Sequence, residues 1–386
     1  METGTPSPIV AGGYGDAGGQ SCLLTRRHTV ECWGDNSWGQ LGDGTMAGSG
    51  PVFAKGLENV EALAMNGNSA CALVRDGRVA CWGFETRSSF GYPEKPTTSY
   101  PVPTFVTGVA DASAVSATGG NGCAIVTGGR VVCWGADGSD GTMGMSRLGP
   151  FGRRNLPPRR VPGVKNAVQL SYGDDHICAL IKGGSVSCWG ENYAGESGHG
   201  AVPGDTEDAM VPPGRVPGIA TATAVSAGDG ITCVLLADRS VRCWGDNSYG
   251  TLGTGRSNGP RDASESPVAV KGISNASAII VGGSHACAIV SGGHVWCWGD
   301  NGNGQLGDGR SSHRHSVTPG APDFSPVPVE VQGVTHAVAI AAGSWHTCAL
   351  LRSRTVECWG SDAYGQLGDG RRTDSSTPVK VKGVRD

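Results

Sequence analysis

The sequence predicts an all-β chain: a seven-bladed β-propeller of four-stranded blades, folded as a single domain over residues 1–386. Three observations carry this. A motif recurs seven times, a cysteine, a second cysteine ten residues on and then Trp-Gly: Cys22 with Cys32, Cys71 with Cys81, Cys123 with Cys133, Cys178 with Cys188, Cys233 with Cys243, Cys287 with Cys297, and Cys348 with Cys358. Its period of about 50 to 60 residues is filled with short alternating runs, as in propellers and unlike helical solenoids. The 65 glycines sit at fixed places in each repeat without a triplet period, so they mark turns.

Each repeat offers four short strands. The first reads Pro-Val-x-Val, as in Pro326 to Val334, with β-branched residues alternating as a pleat requires. The second is small and apolar, as in Ala337 to Gly343, and is placed next to the central axis, where neighbouring backbones crowd. The third and fourth form the cysteine hairpin. In Cys71 to Cys81 a three-residue loop closed by a left-handed Gly77 sets Val74 against Arg78 and therefore Cys71 against Cys81. The same count puts Gly129, Gly184, Gly293, Arg239, Arg354 and His28 at the left-handed position of the other hairpins.

The cysteines then face each other at non-hydrogen-bonded pairs, about 4.5 Å apart at Cα, within disulfide range. Free buried cysteine would also pack there, and zinc would require closely spaced C-x2-C pairs, which do not occur. With 14 cysteines and none left over, seven disulfides are the preferred reading. That number persists in an oxidising compartment, so a secreted, periplasmic or cell-surface location is expected. The opening METGTPSPIVAGG has no basic and apolar leader pattern, so the export reading takes Met1 as a start placed on a mature or excised domain. The tryptophan after each second cysteine points to the opposite blade face and is assigned to the core between blades.

The first repeat lacks an opening Pro-Val strand, and the chain finishes with one, Pro378 to Val384. The C-terminal strand is therefore expected to complete the first blade and close the ring, leaving no free edge.

A formal charge of −4 and no basic tail lack the footprint of nucleic-acid binding. No stretch of some 18 apolar residues is present to span a membrane as a helix. The Gly39 to Gly44 loop and its relatives lack the lysine and following helix of a phosphate loop and are read as structural turns. Asp35-Asn36, Asp246-Asn247 and Asp300-Asn301 lack the glutamate of a calcium loop and are read as Asx turns. No catalytic motif stands out, so no enzyme activity, no cofactor and no metal are expected.

The stretch AAGSWHTCALLRSRTVECWGSDAYGQLGDG, Ala341 to Gly370, resembles the repeat of the RCC1 (regulator of chromosome condensation) superfamily, in particular its bacterial exported branch. The resemblance covers essentially the whole chain and implies a seven-bladed propeller. It leaves function open, since the family includes a nucleotide exchange factor, a plant photoreceptor and a secreted β-lactamase inhibitor. It also implies that the turns between the second and third strands ring the mouth of the central channel and contact protein partners. Carried onto this sequence, that gives Asp174, Asp175, Asp229, Ser344 and Trp345 as the partner-binding face, with Tyr172 nearby. His176, His285 and His346, at the third turn position, are assigned structural hydrogen bonds.

Other places for specificity are the loops Phe84 to Tyr100, Ala136 to Arg160, Glu191 to Pro212 and Asp300 to Ser325. Within them, the histidines of His313-Arg314-His315 lack a fixed third metal ligand, and Arg153-Arg154 and Arg159-Arg160 are read as solvated charges. The expectation is an exported, monomeric, disulfide-stapled protein-binding module, with inhibition of an extracellular or periplasmic enzyme as a specific version. The alternatives are guanine-nucleotide exchange on a small GTPase, for which Asp174-Asp175-His176 speaks by resemblance, and binding or cleavage of polysaccharide.

Overall fold

In the computed structural model the described residues are 7–14, 17–84, 99–137, 154–199, 210–259, 262–310 and 324–384. They form seven four-stranded antiparallel sheets. The first two blades are β1 (Ile9–Tyr14), β2 (Ala17–Leu24), β3 (Val30–Gly34) and β4 (Ser49–Phe53), then β5 (Val60–Asn66), β6 (Ser69–Val74), β7 (Val79–Phe84) and β8 (Ser99–Phe105). The third and fourth are β9 (Ala114–Thr118), β10 (Asn121–Val126), β11 (Arg130–Asp137) and β12 (Arg154–Arg160), then β13 (Ala167–Tyr172), β14 (His176–Ile181), β15 (Ser185–Glu191) and β16 (Met210–Arg215). The fifth is β17 (Ala222–Ala227), β18 (Ile231–Leu236), β19 (Val241–Asp246) and β20 (Ala263–Ala269). The sixth is β21 (Ala278–Val281), β22 (His285–Ile289), β23 (Val295–Asp300) and β24 (Phe324–Glu330), and the seventh β25 (Ala337–Ala342), β26 (His346–Leu351), β27 (Val356–Gly360) and β28 (Ser375–Lys380).

The hairpin register is as expected, and every cysteine pair is directly opposed in its ladder. Cys22 is bonded to Cys32, Cys71 to Cys81, Cys123 to Cys133 and Cys178 to Cys188. Cys233 is bonded to Cys243, Cys287 to Cys297 and Cys348 to Cys358. Their Cα separations are 4.0–4.1 Å, somewhat closer than the 4.5 Å of an ordinary non-hydrogen-bonded pair, because the bridge draws the strands together. The left-handed loop position holds in every blade, including its three non-glycine occupants, His28 (φ 59°), Arg239 (φ 66°) and Arg354 (φ 69°).

The small apolar strands are innermost. Neighbouring inner strands contact one another around the ring, β1 meeting both β5 and β25. Serine hydroxyls tie several together: Ser116, Ser171 and Ser226 accept the main-chain N–H of Tyr172 (2.9 Å), Ala227 (2.8 Å) and Val281 (2.9 Å) on the next blade.

The ring closure differs from expectation. The Pro-Val strand is the outermost strand of the blade before it, not the first strand of the blade after it. In β28, Val379 pairs with Cys358 of β27, and the first blade is complete from residues 9–53. The physical reason lies in proline, which cannot donate to a ladder and so belongs on an outer edge. The ends therefore meet by packing and not by a shared sheet. Ile9, Leu23 and Trp33 of the first blade share a core cluster with Leu350, Leu367 and Val381 of the seventh.

Every seam is built alike. Seven clusters bridge successive blades, and each holds the disulfide of one blade with the tryptophan of the next. Thus Cys22 and Cys32 pack with Trp82, Cys123 and Cys133 with Trp189, Cys287 and Cys297 with Trp359, and Cys348 and Cys358 with Trp33. All seven of these tryptophans are fully buried. Among the described residues, indole N–H groups donate to a carbonyl of the preceding blade: Trp33 to Gln366 (3.0 Å), Trp82 to Gln40 (2.9 Å), Trp244 to Glu196 (2.8 Å), Trp298 to Thr251 (2.8 Å) and Trp359 to Gln305 (2.9 Å).

Candidate partner-binding face

Strand direction alternates outward through each blade, so the turn from first to second strand and the connection from third to fourth leave at the same end of the ring. A glycine fixes how closely they approach. Gly190, Gly245 and Gly360, after the tryptophan, have φ of 106°, 102° and 105°, and a Cβ there would run into the carbonyl of Asp175, Gly230 or Trp345 in the turn above. The residue that follows then donates its N–H to that carbonyl, Glu191 to Asp175, Asp246 to Gly230 and Ser361 to Trp345, each at 2.8 Å.

The inner strands enclose a central channel of about 360 Å3, walled by small residues, with Asn66, Asp174, Asp229, Gly283 and Ser344 at its mouth. Of the five candidates, Asp174, Asp229 and Ser344 come together here. Asp175 is exposed beside them. Trp345 stands apart, half-buried on a cleft of about 210 Å3 at the seam of the seventh and first blades, with Gly12, Gly13, Asn303, Tyr364 and Asp374. Ser344 Oγ crosses that seam to the Gly13 carbonyl (2.8 Å). Tyr172 is buried in the channel wall and does not contribute contact surface.

The mouth is acidic and electrostatically loaded. Burial pushes the Asp174 carboxyl up to about 7, and the charges of Asp229 and Asp175 add to this against a hydrogen bond from Asn66 Nδ2 (3.3 Å). Asp175 is raised by the enclosing protein, opposed by a hydrogen bond with Glu191. Asp229 is raised by the same enclosure and then by Asp175 and Asp246. Sequence reasoning missed Asn66, Glu191 and Asp246. The last two were derivable: Cys178 opposite Cys188 puts Asp175 level with Glu191, and Cys233 opposite Cys243 puts Gly230 level with Asp246.

The three turn histidines are structural, as expected, and work across seams. His176 Nε2 meets Thr232 Oγ1 (2.7 Å), His285 Nε2 meets Thr347 Oγ1 (2.8 Å) and His346 Nε2 meets Ser21 Oγ (2.9 Å). The two threonine hydroxyls donate onward to the carbonyls of Glu196 and Gln305 (both 3.0 Å), so His176 and His285 donate from Nε2. Burial lowers the three to about 4, 3 and 4, and all are neutral near pH 7.

The loops behave as the sequence reading has them. Asp35, Asp246 and Asp300 accept the N–H two residues on, in Asx turns. Arg159 and Arg160 are exposed on β12. Residues 313–315 and Arg153, with much of the four long loops, lie outside the described residues.

Comparison with known proteins identifies the repeat. A model described as the Regulator of chromosome condensation (RCC1) repeat matches residues 240–289 and 292–350. A second of the same description matches 167–196, 222–251, 277–305 and 337–366. The chain carries RCC1 repeats. Its relatives include the E3 ubiquitin-protein ligase HERC2 of Homo sapiens, 29% identical over 387 residues, which cover 95% of this chain and 7% of that protein. The Arabidopsis thaliana ultraviolet-B receptor UVR8 is 31% identical over 58% of this chain and 47% of its own length. This RCC1-repeat chain thus spans only a small part of HERC2. Among solved structures, Prp20p from Saccharomyces cerevisiae, described with its binding properties to Gsp1p and histones, superposes with a TM-score of 0.79 at 20% identity over 93% of this chain and 87% of its own. Human WBSCR16 gives 0.76 at 20% identity over 92% and 94%. At these identities the structural likeness speaks for the fold alone.

Proposed function

We propose that this chain is a non-catalytic protein-binding module, acting in an oxidising, extracytoplasmic compartment through the channel-mouth face that carries Asp174, Asp175, Asp229, Ser344 and Trp345. The observation that carries the reading is the crowding of Asp174, Asp175 and Asp229 at one mouth, where each carboxyl is raised above its ordinary value. Like charges held together on a rigid ring cost stability, and such a cost is repaid when a complementary surface binds. The partner surface is therefore basic. The seven disulfides support the compartment. Inhibition of an extracellular enzyme is a specific form of this reading.

The nucleotide-exchange alternative has less behind it, because His176 is buried in a seam and cannot reach a partner. The test is affinity capture from the native extracellular or periplasmic fraction, with wild type compared with an Asp174→Ala/Asp229→Ala/Trp345→Ala variant whose melting temperature is not lowered. The reading expects a salt-sensitive partner held by wild type and lost by the variant. Equal retention of every captured protein would overturn it.

A further inference from the structure

The loops after the third strands leave on the face of the acidic mouth, and in the first and sixth blades each satisfies its own carboxylate. Gln40 Nε2 donates to Asp35 Oδ2 (2.9 Å) and Gln305 Nε2 to Asp300 Oδ2 (2.8 Å). The fourth and fifth blades have Glu196 and Thr251 at the glutamine position, with Glu191 and Asp246 in place of the aspartates. Neither Glu196 nor Thr251 offers an amide. The loop carboxylate instead addresses the turn beside it: Glu191 hydrogen-bonds with Asp175, and the charge of Asp246 bears on Asp229.

The same two loops each present a tyrosine to solvent, Tyr193 at 57% and Tyr249 at 43% exposure. In the first blade the loop aromatic is packed, Trp38 meeting Phe84 edge-on with ring centres 4.9 Å apart. Glu196 is buried beneath the fourth-blade loop, and its two carboxylate oxygens accept the N–H of Tyr193 (3.1 Å) and Ala194 (2.8 Å). The main chain at Tyr193 is held while its ring stands outside. This loop crosses the seam, the Glu196 carbonyl accepting from Trp244 Nε1 (2.8 Å) and Thr232 Oγ1 (3.0 Å) of the fifth blade. The fifth-blade loop reaches the sixth blade likewise, through the Thr251 carbonyl and Trp298 Nε1 (2.8 Å). The two tyrosine loops therefore flank the fifth blade's turn, Asp229-Gly230.

Exposed tyrosine next to carboxylate matches one cation best. A planar guanidinium stacks on the ring while its N–H fork pairs with the carboxylate, whereas an ammonium is a strongly hydrated point charge. Tyrosine and arginine also dominate binding energy where protein surfaces meet. We propose that the sector formed by the fourth and fifth blades receives an arginine-bearing segment of the partner protein, its guanidinium groups stacking on Tyr193 and Tyr249 and pairing with Asp175, Glu191, Asp229 and Asp246. This rests on the binding-module reading above and adds to it the chemistry and the place of the partner's anchor.

The test measures binding of the full chain, at low ionic strength, to two fluorescent synthetic peptides of equal charge, one alternating arginine with glycine and the other lysine with glycine. Wild type should bind the arginine peptide about fivefold more tightly than the lysine peptide. Tyr193→Ala/Tyr249→Ala should remove that preference, and Tyr193→Phe/Tyr249→Phe should retain it because the rings are kept. Asp175→Asn/Asp229→Asn should weaken binding of both peptides. Equal affinities in wild type, an arginine preference that survives loss of both rings, or no binding of either peptide would overturn the proposal. A partner captured equally by wild type and Tyr193→Ala/Tyr249→Ala, yet lost by Asp174→Ala/Asp229→Ala/Trp345→Ala, would sink this inference and leave the binding-module reading standing.

Discussion

Asp174→Asn isolates the cost of the acidic mouth. Asn keeps the oxygen that accepts from Asn66 Nδ2 and removes only the charge. The folded carboxyl titrates at about 7 against an ordinary 3.8. Between those values the folded state binds more protons than the unfolded one, so stability falls as pH rises from about 4 to about 7 and is flat above. At about 1.4 kcal/mol per pH unit the full penalty would be about 4.5 kcal/mol. The carboxylate borders a water-accessible channel, which reduces this to about 1–2 kcal/mol. Calorimetric melting from pH 5 to pH 9 should then show the variant about 1–2.5 °C more stable at pH 8. The difference should shrink as pH falls, to about a third of its full value at pH 5. Parallel curves, or a variant less stable at pH 8, would refute the claim that this carboxyl is held under electrostatic load.

Two further outcomes follow from the seams and the ends. His176, His285 and His346 have folded values of about 4, 3 and 4, below the ordinary 6.5, so their contribution is complete above pH 6.5 and is lost as pH falls through about 4. In an Asp174→Asn/Asp362→Asn background, which removes the two carboxyls raised to about 7, the melting temperature should fall steadily from pH 6 to pH 4, and a flat profile would contradict buried neutral imidazoles. Deleting residues 375–386 strips β28 and takes Val379 and Val381 from the closing cluster, so the melting temperature should drop markedly; an unchanged value would mean that the seventh-to-first seam does not need its outer strand.

Most of the fold was legible because the determinants are local and repeated. The left-handed residue at 28, 77, 129, 184, 239, 293 or 354 fixes the hairpin register, and the register fixes the cysteine pairing, Cys123 with Cys133 or Cys287 with Cys297 as much as the rest. The blade boundary was not legible. A Pro-Val strand lies between two repeats in sequence, and either neighbour supplies an edge for it. Only the pairing of Val379 with Cys358 assigns it to the earlier blade. The candidate face was half legible. Counting from the cysteines places Asp175 by Glu191, but not Asn66 by Asp174, because that contact joins the second blade to the fourth across the channel. Charge crowding depends on such distances around the ring, which no single repeat encodes.

The frame also explains why the face can vary while the seams do not. The turn carbonyl that receives the N–H of Glu191, Asp246 or Ser361 is main chain, and the close approach depends on a glycine in the strand below. The turn side chains at Asp174, Asp175, Asp229 and Trp345 take no part in either. The seams, by contrast, need a specific indole against a specific disulfide, and removing such a buried tryptophan costs about 3–5 kcal/mol. Substitutions in the turns should therefore be neutral or, where they remove a carboxylate, stabilising, while substitutions at Trp33 or Trp359 should threaten folding. A surface that gains stability when its own residues are removed is under a requirement other than folding, and at this mouth the requirement we infer is a basic partner.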